Sequence, residues 1–357
     1  IAESSLPGSR FPLEGASDAD IGANAQLSYT LSPSEHFRIE EENSNSRSKS
    51  LFLVLTKSLD RETIPVHRLV LTASDGGRPS LTGTMELVIS VLDANDNAPQ
   101  FNQSVYNVRL PEDTIQGTLV VRVNATDLDE GSNRAVKYEL DTIVPPSASD
   151  TFSIDENSGD IKLTGGLDFE AVNLYDLSVK ATDKGTPPLS GHCKVLLEVL
   201  DVNDNAPEVW VTSLSVPVPE DASVGTVVAL LSGASDADIG ANAQLSYTLS
   251  PSEHFSLDLP KSNERNLIPD LVLTKSLDRE TIPVHRLVLT ASDGGRPSLT
   301  GTMELVISVV DANDNAPQFN QSVYRVQLLE SAAVGTLVTR VNAMDPDLGS
   351  NSEVTYA

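Results

Sequence analysis

A seven-residue motif, D-x-N-D-N-A-P, occurs three times and constrains this chain more than any other feature. Its copies begin at Asp93, Asp201 and Asp311, which are 108 and then 110 residues apart. The shorter motifs L-D-x-E, D-x-D and D-x-G-x-P recur with the same period. A fixed period of this size is the signature of tandem units, each about as long as one domain.

The linker motif divides the 357 residues into four predicted units. Its final proline, such as Pro99, disfavours helix for the residue before it. Each linker should therefore run directly into the first strand of the next unit. The predicted units are 1–98, a repeat whose start we take to be truncated; 99–206, a repeat; 207–316, a repeat; and 317–357, a partial repeat.

Between the linkers, polarity alternates over short runs. In the first unit they include Leu51–Leu55, Val66–Ala73 and Thr84–Val91. Gly and Pro number 21 each, which favours many turns over long helices. About seven such runs in about 100 residues are typical of an immunoglobulin-like sandwich. The sequence therefore predicts an all-β chain of tandem immunoglobulin-like, seven-strand Greek-key β-sandwich repeats.

The charge of the chain limits its function. The formal net charge is −27, so nucleic acid, which needs clustered Lys and Arg, is disfavoured and a cation is favoured. A pair such as Asp60 and Glu62 could serve acid–base catalysis. However, this pair recurs in every complete unit, and no Ser-His-Asp, Cys-His or P-loop pattern accompanies it. We therefore predict that the chain is not an enzyme.

Calcium is the cation that fits the motifs best, because it takes six to eight oxygen ligands from carboxylates, amides and backbone carbonyls. Zinc is disfavoured by the scarcity of His and Cys. An EF-hand is also excluded, since the sixth residue counted from Asp93 is Ala98 instead of Gly and the twelfth is Ser104 instead of Glu. The ligands must come from separate segments.

Together, the four motifs resemble the cadherin extracellular repeat over essentially the whole chain. The resemblance implies that the motifs jointly bind calcium between successive repeats. At the first junction it implies Glu3, Asp60, Glu62, Asp93 and Asp96 for two ions, and Asn95, the backbone of Asn97, Asp127, Asp129, the backbone of Asn133 and Asp183 for a third. At the second it implies Glu112, Asp168, Glu170, Asp201, Asn203, Asp204, Asn205, Asp236, Asp238, Asn242 and Asp293. At the third it implies Glu220, Asp278, Glu280, Asp311, Asn313, Asp314, Asn315, Asp345, Asp347 and Asn351.

Some acids and one substitution stand outside this pattern. Asp18, Asp20 and Asp75 would belong to a junction with a further upstream repeat, and are expected to be solvated here. In the second repeat, Phe169 stands where the first has Arg61, between two acids that are kept.

Two stretches narrow the resemblance within the superfamily. Residues 11–22, FPLEGASDADIG, and 187–193, PPLSGHC, look like the clustered protocadherins, most like the alpha type. This implies calcium-dependent homophilic cell–cell adhesion on the extracellular side of the cell membrane. The partners would be the same protein on an apposed cell and related protocadherins in cis. The alternative is a non-adhesive structural spacer of a long cadherin.

Export is consistent with three N-x-S/T triplets, at Asn102, Asn124 and Asn320, which match the N-glycosylation acceptor. No apolar stretch approaches the roughly 20 residues that a membrane-spanning helix needs. Any membrane contact should therefore use a transmembrane segment outside this chain.

The first and third units share long identical segments. Residues 15–37 equal 233–255 and residues 53–91 equal 271–309, while the loops between them, 38–52 and 256–270, share little. Duplication, gene conversion, a chimera and an assembly artefact would each produce this pattern.

Four further residues have local predictions. Cys193 is the single cysteine, so no internal disulfide forms, and we expect it to be a buried strand thiol. His67 and His285 occupy equivalent strand positions and should pack locally or face solvent rather than bind metal. Trp210, beside the second linker, is predicted to be a core anchor, with a partner contact as the alternative.

Overall fold

The computed structural model describes residues 1–44, 48–209, 217–231, 233–259 and 269–357. The chain forms two compact units, Ile1–Leu200 and Asp201–Ala357, and each is described by itself. Regular structure within the described ranges is β-strand, apart from short 3₁₀ helices at Gly22–Ala25, Pro146–Ala148 and Gly349–Ser352. None of these helices is long and apolar enough to cross a membrane. Trp210 lies outside the described residues.

The first repeat consists of two sheets. Its strands are β1 (Arg10–Leu13), β2 (Ser28–Leu31), β3 (Phe37–Ser44), β4 (Ser48–Leu55), β5 (Val66–Ser74) and β6 (Thr82–Ser90). One sheet has the order β1-β4-β3 and the other β2-β5-β6. An isolated parallel bridge joins Ala2 to Leu92. Strand β5 shows why these residues form a strand, since its buried and exposed side chains alternate.

The second repeat shows the complete sandwich. Its strands are β7 (Gln100–Phe101), β8 (Val105–Pro111), β9 (Leu119–Arg122), β10 (Ala125–Thr126), β11 (Lys137–Val144), β12 (Phe152–Ile154), β13 (Asp160–Leu163), β14 (Leu174–Thr182) and β15 (Ser190–Leu200). Four strands form one sheet, β11-β14-β15-β8, and three form the other, β12-β13-β9. Strand β8 pairs with β15 in parallel, while the other strand pairs of the two sheets are antiparallel. The linker enters β7 without a helix, as predicted.

The core of the second repeat lies between these sheets. Inward residues of β13 and β14, such as Ile161 and Leu177, are fully buried and pack with Val195 of β15. Cys193 belongs to the same cluster, which confirms the predicted buried thiol. Burial raises the pKa of this thiol to about 11.

The second unit contains the third repeat and the partial repeat. Its strands are β16 (Glu208–Val209), β17 (Val218–Pro219), β18 (Val227–Leu230), β19 (Ala234–Ser235), β20 (Ser246–Leu249), β21 (Phe255–Asp258), β22 (Asp270–Leu273), β23 (Val284–Ser292), β24 (Thr300–Val310), β25 (Gln318–Phe319) and β26 (Ala343–Met344). The sheets β17-β24-β23-β20 and β18-β22-β21 reproduce the second repeat's strand order. The predicted all-β sandwich architecture is thus confirmed.

Equivalent side chains in the identical segments of the first and third repeats differ in how deeply they are buried. Leu305 is fully buried, whereas its counterpart Leu87 is only partly buried, and Met85 is 43% exposed. In the third repeat a Cβ atom on Gly301 would lie 1.8 Å from the carbonyl oxygen of Pro207, while nothing lies within 4 Å of such an atom on Gly83.

Candidate metal centres

Glu3 ties together three segments at the start of the first junction. Its side chain is buried and accepts hydrogen bonds from the backbone N–H of Arg61, at 2.8 Å, and of Ala94, at 2.6 Å. The first segment of the repeat, the L-D-R-E loop and the linker therefore meet at one carboxylate. Asp60 faces its own loop, where it accepts from the N–H and hydroxyl of Thr63 at 3.0 and 2.7 Å.

Two overlapping groups of carboxylates form around Glu62. One oxygen from each of Glu3, Glu62 and Asp93 lies within 4.8 Å of the others, and the same holds for Glu62, Asp96 and Asp129. Two unit charges at that separation repel by roughly 3 kcal/mol at an effective dielectric constant near 20. A cation placed among them would convert this repulsion into attraction.

The repulsion is visible in the acidity of these groups. Burial, assisted by Glu3 and Asp129, raises the pKa of Asp96 above its usual value. Burial also raises the pKa of Glu62, with Glu3 adding to the effect. The ionised form of both carboxylates is therefore less stable in the folded protein than in water when no cation is bound.

A third set of oxygens lies on the second repeat's side of the junction. Asp129 is fully buried, and its N–H donates to Oδ1 of Asp127 at 2.9 Å. Asn95 reaches across from the linker, where its Nδ2 donates to Oδ2 of Asp183 at 3.1 Å and to the carbonyl of Pro187 at 2.7 Å. These bonds orient the amide of Asn95 and leave its oxygen free.

Two oxygens of this set are buried without a hydrogen-bond partner, Oδ1 of Asn95 and Oδ2 of Asp127. Buried polar atoms rarely stay unpaired, because each costs about 1–3 kcal/mol. Both belong to residues that the sequence predicted as calcium ligands. Oxygen atoms that have no hydrogen-bond partner in the protein are the ligand atoms that a hard cation requires.

Asn97 and Asn133 donate to the acids around them. Nδ2 of Asn97 donates at 2.8 Å to Oδ1 of Asp96 and to Oδ1 of Asp129. Nδ2 of Asn133 donates to Oδ2 of Asp93 at 2.8 Å. Their side chains therefore position the carboxylates, and the role of their backbone as calcium ligands stays a prediction.

The same geometry recurs in the second unit. Nδ2 of Asn203 donates to Oδ2 of Asp293 at 3.1 Å, and Nδ2 of Asn205 donates at 2.7 Å to Oδ1 of Asp204 and Oδ1 of Asp238. Asn242 donates to Oδ2 of Asp201 at 2.8 Å. The buried oxygens without a partner are again concentrated on predicted ligands: Oδ1 of Asp201, Oδ1 of Asn203, Oδ2 of Asp236 and Oδ2 of Asp238.

The predicted second set draws on both units. In the first unit, oxygens of Glu112, Asp168 and Glu170 lie within 4.8 Å of one another, and Oε2 of Glu112 accepts from the N–H of Phe169 at 2.6 Å. The remaining members lie in the second unit. That all of them share one site stays a prediction.

The third junction lies within the second unit. Oxygens of Glu220, Asp278 and Glu280 lie within 4.8 Å of one another. Nδ2 of Asn315 donates to the acids Glu280, Asp314 and Asp347, at 3.2, 2.7 and 2.8 Å. The N–H of Asp347 donates to Oδ1 of Asp345, Nδ2 of Asn351 donates to Oδ2 of Asp311, and Asn313 is exposed.

The acids assigned to an upstream junction are less enclosed. Asp18 and Asp20 are exposed and Asp75 is partly buried, whereas their counterparts Asp238 and Asp293 are buried. The exposure of Asp18 and Asp20 agrees with the expectation that they are solvated, whereas Oδ1 of Asp75 accepts from the backbone N–H of Gly77 and of Leu81 at 3.0 and 2.9 Å.

Two kinds of residue at the junctions were not identified from the sequence. Gly185 is one, because a Cβ atom there would lie 2.1 Å from the amide of Asn95. The signal in the sequence was the glycine of D-x-G-x-P. Only a residue without a side chain leaves room for the amide of Asn95 at this position. The other is Arg61, whose guanidinium lies among the acids of the first junction.

The fold and the repeated acid clusters define a class. A family model described as Cadherin domain matches residues 1–92, 106–200 and 214–310. The chain belongs to the cadherin family, whose members are adhesion proteins and not enzymes.

Its relatives are clustered protocadherins, as the sequence indicated. Over all 357 residues the chain is 50% identical to protocadherin alpha-6 of Homo sapiens and 50% identical to protocadherin alpha-10 of Mus musculus, and it spans 37% of the length of each. Among solved structures, it is similar to protocadherin gamma B2 extracellular cadherin domains 1–5, with a TM-score of 0.89, 41% identity and coverage of 99% of this chain and 65% of that one. Protocadherin gamma B7 extracellular cadherin domains 1–4 match with a TM-score of 0.78, 45% identity and coverage of 87% and 73%.

Proposed function

We propose that the junctions of this chain bind calcium and that the bound ions fix the orientation of successive repeats. The observation that carries this proposal is the set of buried, partnerless oxygens on predicted ligands, such as Oδ1 of Asn95 and Oδ2 of Asp127. They lie beside clustered carboxylates, whose like charges repel one another. When bound, calcium would supply positive charge and six to eight coordination positions.

The ligand sets that follow from the sequence are part of this proposal. At the first junction, Glu3, Glu62 and Asp96 would hold ions on the side of the first repeat, and Asn95, Asp127 and Asp183 would hold one on the side of the second. All of these donors are oxygen atoms, and no His or Cys is among them, which favours calcium over zinc. The repeat boundaries at 98, 206 and 316 place each linker motif at the end of its repeat.

We further propose that the protein containing this chain mediates homophilic cell–cell adhesion at the extracellular face of the cell membrane. The support is family membership together with 50% identity to protocadherin alpha-6. A pairing in cis is a second expectation, since a related solved structure is described as a protocadherin gamma B7 cis-dimer, at 32% identity and a TM-score of 0.68. Rigid junctions would hold the contact surfaces of such a protein in a fixed relation.

Calorimetric titration and small-angle X-ray scattering test the calcium proposal on the whole chain. Extracellular calcium modules bind at roughly 0.1–1 mM, so calcium is added to several mM after exhaustive chelation. We expect binding of several ions and a larger radius of gyration with calcium than with chelator. Asp96→Ala should bind fewer ions than the unmodified chain, while the exposed-acid control Asp113→Ala should bind the same number.

An unchanged radius of gyration would refute the rigid-junction mechanism, and unaltered stoichiometry in Asp96→Ala would remove Asp96 from the site. Adhesion needs a separate test. Cells that display the complete ectodomain should aggregate in calcium and disperse in chelator, and failure to aggregate would favour the spacer alternative.

A further inference from the structure

The guanidinium of Arg61 lies among the acids of the first junction and reaches both repeats. Its Nε donates to Oδ1 of Asp93 at 2.7 Å, and one terminal nitrogen donates to Glu62 beside it. The same nitrogen donates to the carbonyl of Leu128 at 2.7 Å, and the other donates to Glu130 at 3.0 Å. Leu128 and Glu130 belong to the second repeat. The side chain of Arg61 is only 10% exposed.

Asp93 completes the connection from the linker. Its Oδ1 accepts from Nε of Arg61 and from the N–H of Glu130 at 3.1 Å, and its Oδ2 accepts from Nδ2 of Asn133 at 2.8 Å. Burial alone would raise the pKa of Asp93, but the hydrogen bonds from Glu130, Asn133 and Arg61 outweigh it and lower the pKa. Three of its roughly four lone-pair sites are thus occupied by protein donors.

Arg61 and Asp93 therefore hold the loop at residues 127–133 of the second repeat with groups that need no metal. Arginine suits this role because its planar fork forms several hydrogen bonds at once and stays charged. We propose that the Arg61–Asp93 pair is a calcium-independent brace that narrows the range of orientations open to the first two repeats when calcium is absent. The proposal adds a metal-independent part to the calcium mechanism proposed above.

The third junction contains the same arrangement. Nε of Arg279 donates to Oδ1 of Asp311 at 2.7 Å, and its terminal nitrogen donates to the carbonyl of Pro346 at 3.0 Å. The N–H of Leu348 donates to Oδ1 of Asp311 at 2.9 Å. Only the outer ion pair is missing, because Leu348 stands where the first junction has an acid.

The chain also contains a natural contrast. In the second repeat the residue between the two acids is Phe169, which has no donor in its side chain and packs against the hydrophobic core. In the second unit, Asp201 corresponds to Asp93, and its Oδ1 is buried without a hydrogen-bond partner. The replacement Arg61→Phe therefore introduces a residue that this chain already carries at the equivalent position.

Pulsed electron spin resonance on the whole chain measures the brace directly. Spin labels on cysteines introduced at the exposed positions Thr84 and Thr142 report the distance between the first and second repeats. Cys193 stays unlabelled, because it is buried and its pKa is about 11. The variants are Arg61→Phe, Arg61→Gln and Asp93→Asn, and the control is Arg68→Phe, which removes an arginine from an exposed pair with Glu86 in the first repeat.

In excess chelator we expect the distance distribution of Arg61→Phe to be at least twice as wide as that of the unmodified chain, and Arg68→Phe to match the unmodified chain. Arg61→Gln should widen the distance distribution as well. Because glutamine keeps a polar side chain, this result would assign the effect to the lost charge and planar guanidinium of Arg61. Near-ultraviolet circular dichroism confirms that the sandwiches of each variant are folded.

Equal widths for Arg61→Phe and the unmodified chain in chelator would overturn the brace. The calcium mechanism is judged separately, from the narrowing that each protein shows when calcium is added. If calcium narrows none of the distributions, the proposed function fails while the chelator comparison still decides the brace.

Discussion

Asp127 should destabilise the second repeat without calcium and stabilise it with calcium, and Asp127→Asn tests both effects. The side chain is 4% exposed and its Oδ2 has no hydrogen-bond partner. Burial, and then the charges of Asp129 and Asp183, raise its pKa, so the ionised form that exists at pH 7 is disfavoured in the folded, metal-free state. An amide of the same size removes the charge and can donate to the neighbouring carboxylates.

The size of the effect follows from these contacts. A buried, unsatisfied polar group costs about 1–3 kcal/mol, so Asp127→Asn should raise the free energy of unfolding in chelator by about 1–2 kcal/mol. For a domain of about 100 residues, each kcal/mol shifts Tm by roughly 4–8 °C. Calcium at 100 times its Kd stabilises by about 2.7 kcal/mol, but by only about 1.4 kcal/mol if the variant binds tenfold more weakly.

Differential scanning calorimetry in chelator and in calcium measures both effects. The transition that moves in the variant identifies the second repeat, and Asp113→Asn, at an exposed acid of the same repeat, is the control. We expect a higher Tm than the unmodified chain in chelator and about half its calcium-induced gain. A Tm in chelator that stays the same or falls would show that the buried carboxylate carries no cost, and the reasoning from its bare oxygen would be wrong.

Two further predictions use the identical sequences of the first and third repeats. Gly301→Ala should lower the Tm of the third repeat by several degrees, because its Cβ would meet the carbonyl of Pro207, whereas Gly83→Ala should have little effect; equal effects would contradict the role of this contact. His67 and His285 are buried, and the pKa of each is lowered, mainly by burial and then by the charge of a neighbouring histidine. The unfolded chain therefore binds protons at a higher pH than the folded chain does, and the free energy of unfolding decreases as pH falls below about 6.5. Replacing both by tyrosine, as the second repeat has, should reduce the loss of Tm between pH 7 and 5, and an identical pH profile would refute this.

The strands and their faces were predictable, because alternation of polarity is a local property. Strand β5 matches the predicted run within one residue, and its buried and exposed side chains alternate as the pattern indicates. Depth of burial was not predictable in the same way. Leu87 and Leu305 have identical neighbours in sequence but differ in burial, so their burial depends on residues that are distant along the chain.

The acids of the candidate sites were identified from the repeated motifs and their resemblance to the cadherin repeat, but the hydrogen-bond partners of these acids were not. Periodicity marked Asp93 as an acid of the junction, and only the folded geometry shows its oxygens facing Arg61, Glu130 and Asn133. The search for oxygen ligands assigned no role to Arg61, the residue between two of these acids. The residues that a long side chain contacts at a junction depend on how two repeats are placed next to each other. A local sequence pattern does not contain that information.

The parallel pairing of β8 with β15 has a mechanical consequence. These are the first long strand and the last strand of the second repeat, and their register runs over seven residue pairs, from Val105 opposite Lys194 to Pro111 opposite Leu200. Because the two strands run in the same direction, the chain enters this repeat at one end and leaves it at the other. Tension applied through the chain would pull these strands lengthwise past each other and load their hydrogen bonds together instead of one at a time. A repeat built in this way resists stretching along the line that joins its two ends.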